Sequence, residues 1–178
     1  MPRLGANDPS SVAAMLRAYG TADTGIDPGE IPELLEQADE EIREAEYDLM
    51  GGFPNGGLKS AEMAILKMGL ALALGYCHRL AEHNESDPRK GQRSHRNAAL
   101  LVWFWARESM PRVEPLAAQL VDVIERRNDY SYRTHSASPS EALDATQAVK
   151  EVREALGDEP IRIYQSTMAR LEAARQQP

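Results

Sequence analysis

The chain has 178 residues, 20 Lys and Arg against 28 Asp and Glu, a formal net charge of -8 and 42% hydrophobic residues. That is one domain's worth of chain with apolar residues enough for a sizeable core, and it is too acidic overall to coat nucleic acid by phosphate neutralisation. A single Cys, no charged-then-apolar opening segment and a longest uncharged apolar run of only Met68 to Cys77 argue against a secreted, disulfide-stapled or membrane-spanning protein, and fit a cytoplasmic one.

Ser10 to Tyr19 reads as a short helix, and the GTADTGIDPGE that follows is rich in Gly, Asp and Thr and reads as a linker. Residues 1–26 are therefore expected to form an N-terminal extension. Asp27, Pro28 and Glu30 supply an N-cap, a first-turn proline and a capping-box partner. Ile31, Leu34, Leu35, Ala38, Ile42, Ala45 and Leu49 then mark one apolar helical face, with Glu36, Glu40 and Glu44 opposite. Gly51-Gly52 ends this helix, and Pro54-Asn55-Gly56-Gly57 is expected to keep the chain turning.

The second long helix is expected from Ser60 to about Glu82. Its middle, MGLALALGYC, is apolar nearly all round, which predicts burial on several sides. Ala61, Ala64, Gly69, Ala71, Ala73 and Gly75 would let neighbours approach closely. HNESDPRKGQRSH reads as an exposed loop. Asn97 to Glu108 reads as a third helix, broken at Pro111. A fourth carries Val113, Leu116, Leu120, Val121 and Ile124 and ends in RRNDYSYRTHSAS. Ser138-Pro139-Ser140-Glu141 opens a fifth, with Ala142 or Leu143, Ala145, Val149, Val152 and Leu156 inward and Gly157 as its stop. Asp158 opens a last helix with Ile161, Tyr164, Met168 and Leu171 inward, so that 158–178 packs on or beside the bundle of 27–157. No run of alternating β-branched residues appears, and the expected fold class is all-α, an antiparallel up-down helical bundle without a sheet.

No phosphate-binding loop, dinucleotide fingerprint, nucleophile elbow or H-E-x-x-H motif is present. None of the four His (78, 83, 95 and 135) follows an acid by three residues, as a bundle di-metal site requires. The dense acids of the first long helix therefore read as a solvated face. No metal and no cofactor is expected. Trp103, Phe104 and Trp105 point about 100° apart on a helix, so at least two belong to a core or a dimer contact rather than to a stacking platform.

Charge is uneven along the chain. Residues 1–50 hold twelve acids against three Arg, whereas residues 88–107 hold Arg89, Lys90, Arg93, Arg96 and Arg107 and no acid. The group at 89–96 could grip a phosphate backbone or dock an acidic surface. The richest polar segment is Glu125 to His135. There Arg126, Arg127, Asn128, Tyr130, Tyr132, Arg133 and His135 crowd one helix terminus, which reads either as a functional cluster or as helix-end charges complementing the dipole with a polar turn.

These residues, with the acidic first helix LLEQADEEIREAEYDLM and the Ala-rich helix SAEMAILKMGLALALGYCHRL, resemble the HEPN (higher eukaryotes and prokaryotes nucleotide-binding) family over about Ile31 to Gly157. The family signature is Arg, often followed by Asn, Asp or His, then a His four to six residues on. Arg127-Asn128 matches its first half. Tyr132 stands where the first permitted His would be, and His135 lies one step past the usual range; a sub-group with Arg-x-x-x-Asp-Tyr matches Arg127 to Tyr132 with Ser131 in place of Asp.

The resemblance implies a HEPN-type bundle and a homodimer that cleaves RNA without metal, as toxins and phage-defence proteins do. Arg127 would then stabilise charge on the phosphoryl group, Asn128 would position it, and Tyr132 or His135 would move the proton. Arg89, Lys90, Arg93, Arg96, Arg126 and Arg133 would hold the nucleic acid. The alternatives are a module that binds a nucleotide or RNA without cutting, and one that docks a protein partner such as an antitoxin or a neighbouring-gene product.

Overall fold

The structure is a computed structural model. It describes residues 2, 4, 9–80, 88–131 and 136–176, and of these 88–94 and 126–131 by their backbone alone. Among the described residues it is built from seven α-helices and one two-stranded ribbon.

Helix α1 spans Val12–Tyr19, capped by the Ser11 hydroxyl, which accepts from the Ala14 N–H at 3.1 Å. Val12, Met15 and Leu16 are buried in the common core. The Val12 N–H also donates to Glu108 at 2.9 Å, and Arg107 donates to the Ser10 carbonyl. The expectation of no sheet is overturned just after this helix. Gly20–Ala22, within the segment read as a linker, forms β1 and pairs antiparallel with β2, His78–Leu80, in the register Thr21↔Arg79. Strands of three residues are too short for alternation to show in a sequence.

Helix α2 spans Glu30–Met50. Asp27 does not cap it directly: its carboxylate accepts from the Gly29 N–H at 2.9 Å, while its own N–H donates to Glu30 at 3.3 Å, so box-like bonds close a turn before the first helical residue. Ile31, Leu35, Ala38, Ile42 and Ala45 are buried as their spacing predicts.

Helix α3 spans Pro54–Gly75 and starts six residues before Ser60. Pro54 sits at its first position, where a missing N–H costs nothing. Gly56 and Gly57, read as turn residues, are helical and serve close packing. A Cβ on Gly56 would fall 2.2 Å from the Asp48 carboxylate, and one on Gly57 3.2 Å from the Ala45 carbonyl. The helix ends at Gly75, not near Glu82, because Cys77 takes a left-handed conformation (φ 57°) and sends the chain into β2. The Cys77 thiol is buried there, 3.7 Å from the Met168 sulfur.

Helix α4 spans Pro88–Ser109, so the second half of the segment read as a loop is helix. Pro88 opens it, and Arg, Lys and Gln are good helix formers. Leu100, Leu101, Phe104 and Trp105 are fully buried, and Trp103 almost so. The aromatic cluster is therefore core within a single copy, with Arg107 stacked over Trp103 and Phe104. A 3₁₀ turn at Pro111–Val113 leads into α5, Glu114–Ser131. Its last six residues belong to the segment read as a helix terminus; no Gly or Pro interrupts them.

Helix α6 spans Pro139–Leu156 with the predicted capping box in place, and Gly157 (φ 49°) stops it. Ala142 takes the inward position and Leu143 is exposed. Helix α7 spans Glu159–Arg175 and lays Ile161, Tyr164, Met168 and Leu171 on the core. The α3 helix touches α2, α4, α6 and α7, and close contact is possible because Gly69 and Gly75 carry no side chain: a Cβ would stand 2.6 Å from the backbone of Ala98 and of Pro160 respectively. Among the described residues no helix is long and apolar enough to cross a membrane.

Candidate functional site

Helices α4 and α5 form an antiparallel hairpin around Pro111–Val113, and Arg96 Nε donates to Glu125 at 2.9 Å across it. That clasp fixes the register. The first turns of α4 and the last turns of α5 lie at the same end of the bundle. The start of α6 joins them there, since the Ala137 N–H donates to Asn55 Oδ1 at 2.7 Å beside the start of α3.

The two basic segments singled out in the sequence, 89–96 and 126–133, therefore meet at one end through their helical parts. Arg89, Lys90 and Arg93 occupy early positions of α4, and Arg126, Arg127 and Asn128 the closing turns of α5. Leu120, Val121 and Ile124 of the same helix face the core. Tyr132, Arg133 and His135 lie outside the described residues. Arg96 is held in the clasp with Glu125, both side chains about a quarter exposed.

Sequence reasoning missed one member of this end and misplaced another. Glu62, on the Ala-rich helix α3, is 5% exposed. Its carboxylate lies 2.6 Å from Nδ1 of His95, in a stretch that reads as loop from the sequence and is helix in the structure. Only the Glu62 half of the pair leaves a signal in the sequence. Glu62 breaks the apolar spacing of Leu58, Ala61 and Ile65, and a buried carboxylate demands a partner. Burial pushes the His95 imidazole below its ordinary pKa, and the ring meets the carboxylate through Nδ1. The ring is anchored on one side, while 32% of the side chain remains open to solvent. Among the described residues no three His, Cys, Asp or Glu side chains are grouped to hold a metal ion.

A second charged cluster sits on the ribbon. Arg79 donates to Asp23 at 2.7 Å and, through both terminal nitrogens, to Glu30 at 2.8 and 2.9 Å. The guanidinium holds both carboxyls below their usual pKa. It borders a groove of about 430 Å³ floored by Leu34, Leu70, Leu74 and Leu80. Two carboxylates already satisfy this Arg, and Glu33 adds a further negative charge to the rim, so the groove is ill suited to an anion.

Fold and geometry thus define an all-α bundle with a polar end built from α3, α4, α5 and α6. Compared with known proteins, the chain matches no family model, no curated protein and no solved structure.

Proposed function

We propose that the protein is a HEPN-like, metal-independent ribonuclease of toxin or phage-defence type, working as a homodimer through this polar end. The observation that carries the reading is the antiparallel register of α4 and α5, which gathers the basic turns of one and the Arg127-Asn128 turn of the other beside the pair of partly exposed His95 and buried Glu62. Such a concentration of cations suits a phosphodiester. Arg127 offers an always-charged fork for charge that develops on the phosphoryl oxygens, and Asn128 orients the group through its amide.

Large apolar side chains support the dimer. Tyr47, Met50 and Phe53, around the α2–α3 turn, and Leu143, near the start of α6, are 56–88% exposed. Lys150 pairs with Glu46 and Arg153 with Asp39, so α2 and α6 run antiparallel. That register brings the α2–α3 turn level with the first turns of α6, at the polar end. A second copy seated there would cover apolar surface and bring twin Arg127 turns together.

The test is cleavage of single-stranded RNA by the purified chain in the presence of a chelator. Fragments ending in a cyclic phosphate are expected, with a rate lowered by roughly 100-fold or more in Arg127→Ala. Cleavage at the wild-type rate in that variant would overturn the assignment. A binding role without cleavage is the second reading, favoured by Tyr132 where the family has His. Salt-dependent RNA affinity with no fragments would establish it.

A further inference from the structure

The ribonuclease reading needs a group that takes a proton near neutral pH, and neither Tyr132, with an ordinary pKa of about 10, nor His135, eight residues from Arg127, fills that role convincingly by position. We propose that His95, held through Nδ1 by the buried carboxylate of Glu62, is the base of this site and takes the proton of the RNA 2′-hydroxyl. The proposal rests on the ribonuclease reading and adds a residue to it.

Three observations carry it. The 2.6 Å bond to Glu62 fixes the ring, and in its neutral form the Nδ1–H is used inward and the lone pair is left on Nε2. A third of the side chain reaches solvent, so the ring is not sealed into the core. The neighbouring residue Arg96 clasps Glu125, two and three positions before Arg127 and Asn128. At about 1.5 Å of rise per residue that offset is roughly 3–5 Å along α5. Packed helix axes lie about 8–10 Å apart. The α5 backbone at position 127 therefore lies within one turn of the clasp that adjoins His95, at the same end of the bundle. Among the described residues, His95 meets the carboxylate of Glu62 on α3, and the adjoining Arg96 pairs with Glu125 on α5.

The step balances without a co-reactant. The Nε2 lone pair takes the 2′-hydroxyl proton, the 2′ oxygen forms a bond to phosphorus, and the bond from phosphorus to the 5′ oxygen breaks. That oxygen leaves, taking a proton from water, and His95 returns its own proton to water. The products are a 2′,3′-cyclic phosphate and a 5′-hydroxyl.

The experiment compares wild type, His95→Gln and Glu62→Gln on single-stranded RNA, together with their affinity for single-stranded DNA of the same sequence, which lacks the attacking hydroxyl. In His95→Gln, kcat is expected to fall about 100-fold or more, with KM and DNA affinity within about threefold of wild type. Glu62→Gln loses less. If His95→Gln does not fold, the imidazole resonances of His95 in the wild-type chain decide: a shift on adding the DNA supports the assignment and an unmoved signal overturns it. Wild-type protein that makes no cyclic-phosphate ends removes the ribonuclease reading and this assignment together. A wild type that cuts beside a His95→Gln that cuts equally well removes only His95.

Discussion

Helices α3 and α4 meet in two different ways within two turns of each other. At Gly69 the α4 backbone comes so close that a methyl group would stand 2.6 Å from Ala98. At Glu62 the same two helices are joined by a carboxylate and an imidazole. The first contact is dry and unforgiving; the second is polar and leaves part of a ring in solvent. A helix pair pinned at one point by small residues can hold a titratable pair rigidly at another, which is what positioning a reactive ring requires.

The largest way to break this comparison is to remove the pin. Gly69→Leu forces a side chain against backbone that cannot retreat, and is expected to lower stability by about 3 kcal/mol, read from urea unfolding. Glu62→Ala comes next. It strips the buried partner from His95 and should cost about 2 kcal/mol, whereas Glu62→Met combined with His95→Leu, which removes both polar groups, should cost less than the single change.

A smaller effect is expected from pH. The folded-state pKa of His95 lies below its ordinary value of 6.5, so the folded chain binds fewer protons than the unfolded one. The contribution of this group is therefore complete above pH 6.5 and drains away as pH falls below it. Urea unfolding at stepped pH should show a flatter dependence below 6.5 in His95→Gln. The smallest effect belongs to the clasp on the ribbon. Arg79, Asp23 and Glu30 are about a third to a half exposed, so Arg79→Ala should barely move the melting temperature, and less still in high salt. A large loss there would erase the distinction between buried and exposed charge clusters.

The sequence carried the bundle far better than its edges. Ile31 to Ala45, Ala142 to Leu156 and the Ser138–Glu141 box are strongly periodic or chemically specific, and they fold as their spacing dictates. Gly56 and Gly57 misled because a glycine needed for close packing looks the same in a sequence as one needed for a turn. The ribbon escaped notice because its strands are stabilised by each other across 56 residues, not by a local pattern. Of the candidate site, the Arg127-Asn128 turn and the basic group before Asn97 were visible as composition. The Glu62–His95 pair was not, since its meaning depends on two helices meeting, which no spacing along one helix encodes.

The lone Cys77 lies beneath the α3–β2 turn, next to Met168, and burial raises its pKa. An unmodified chain should therefore react sluggishly with maleimides. Fluorescent or spin labels could then be introduced at a surface position such as Leu143→Cys without first deleting the native thiol. Distances between two such labels would report directly whether, and how, twin copies face each other in solution.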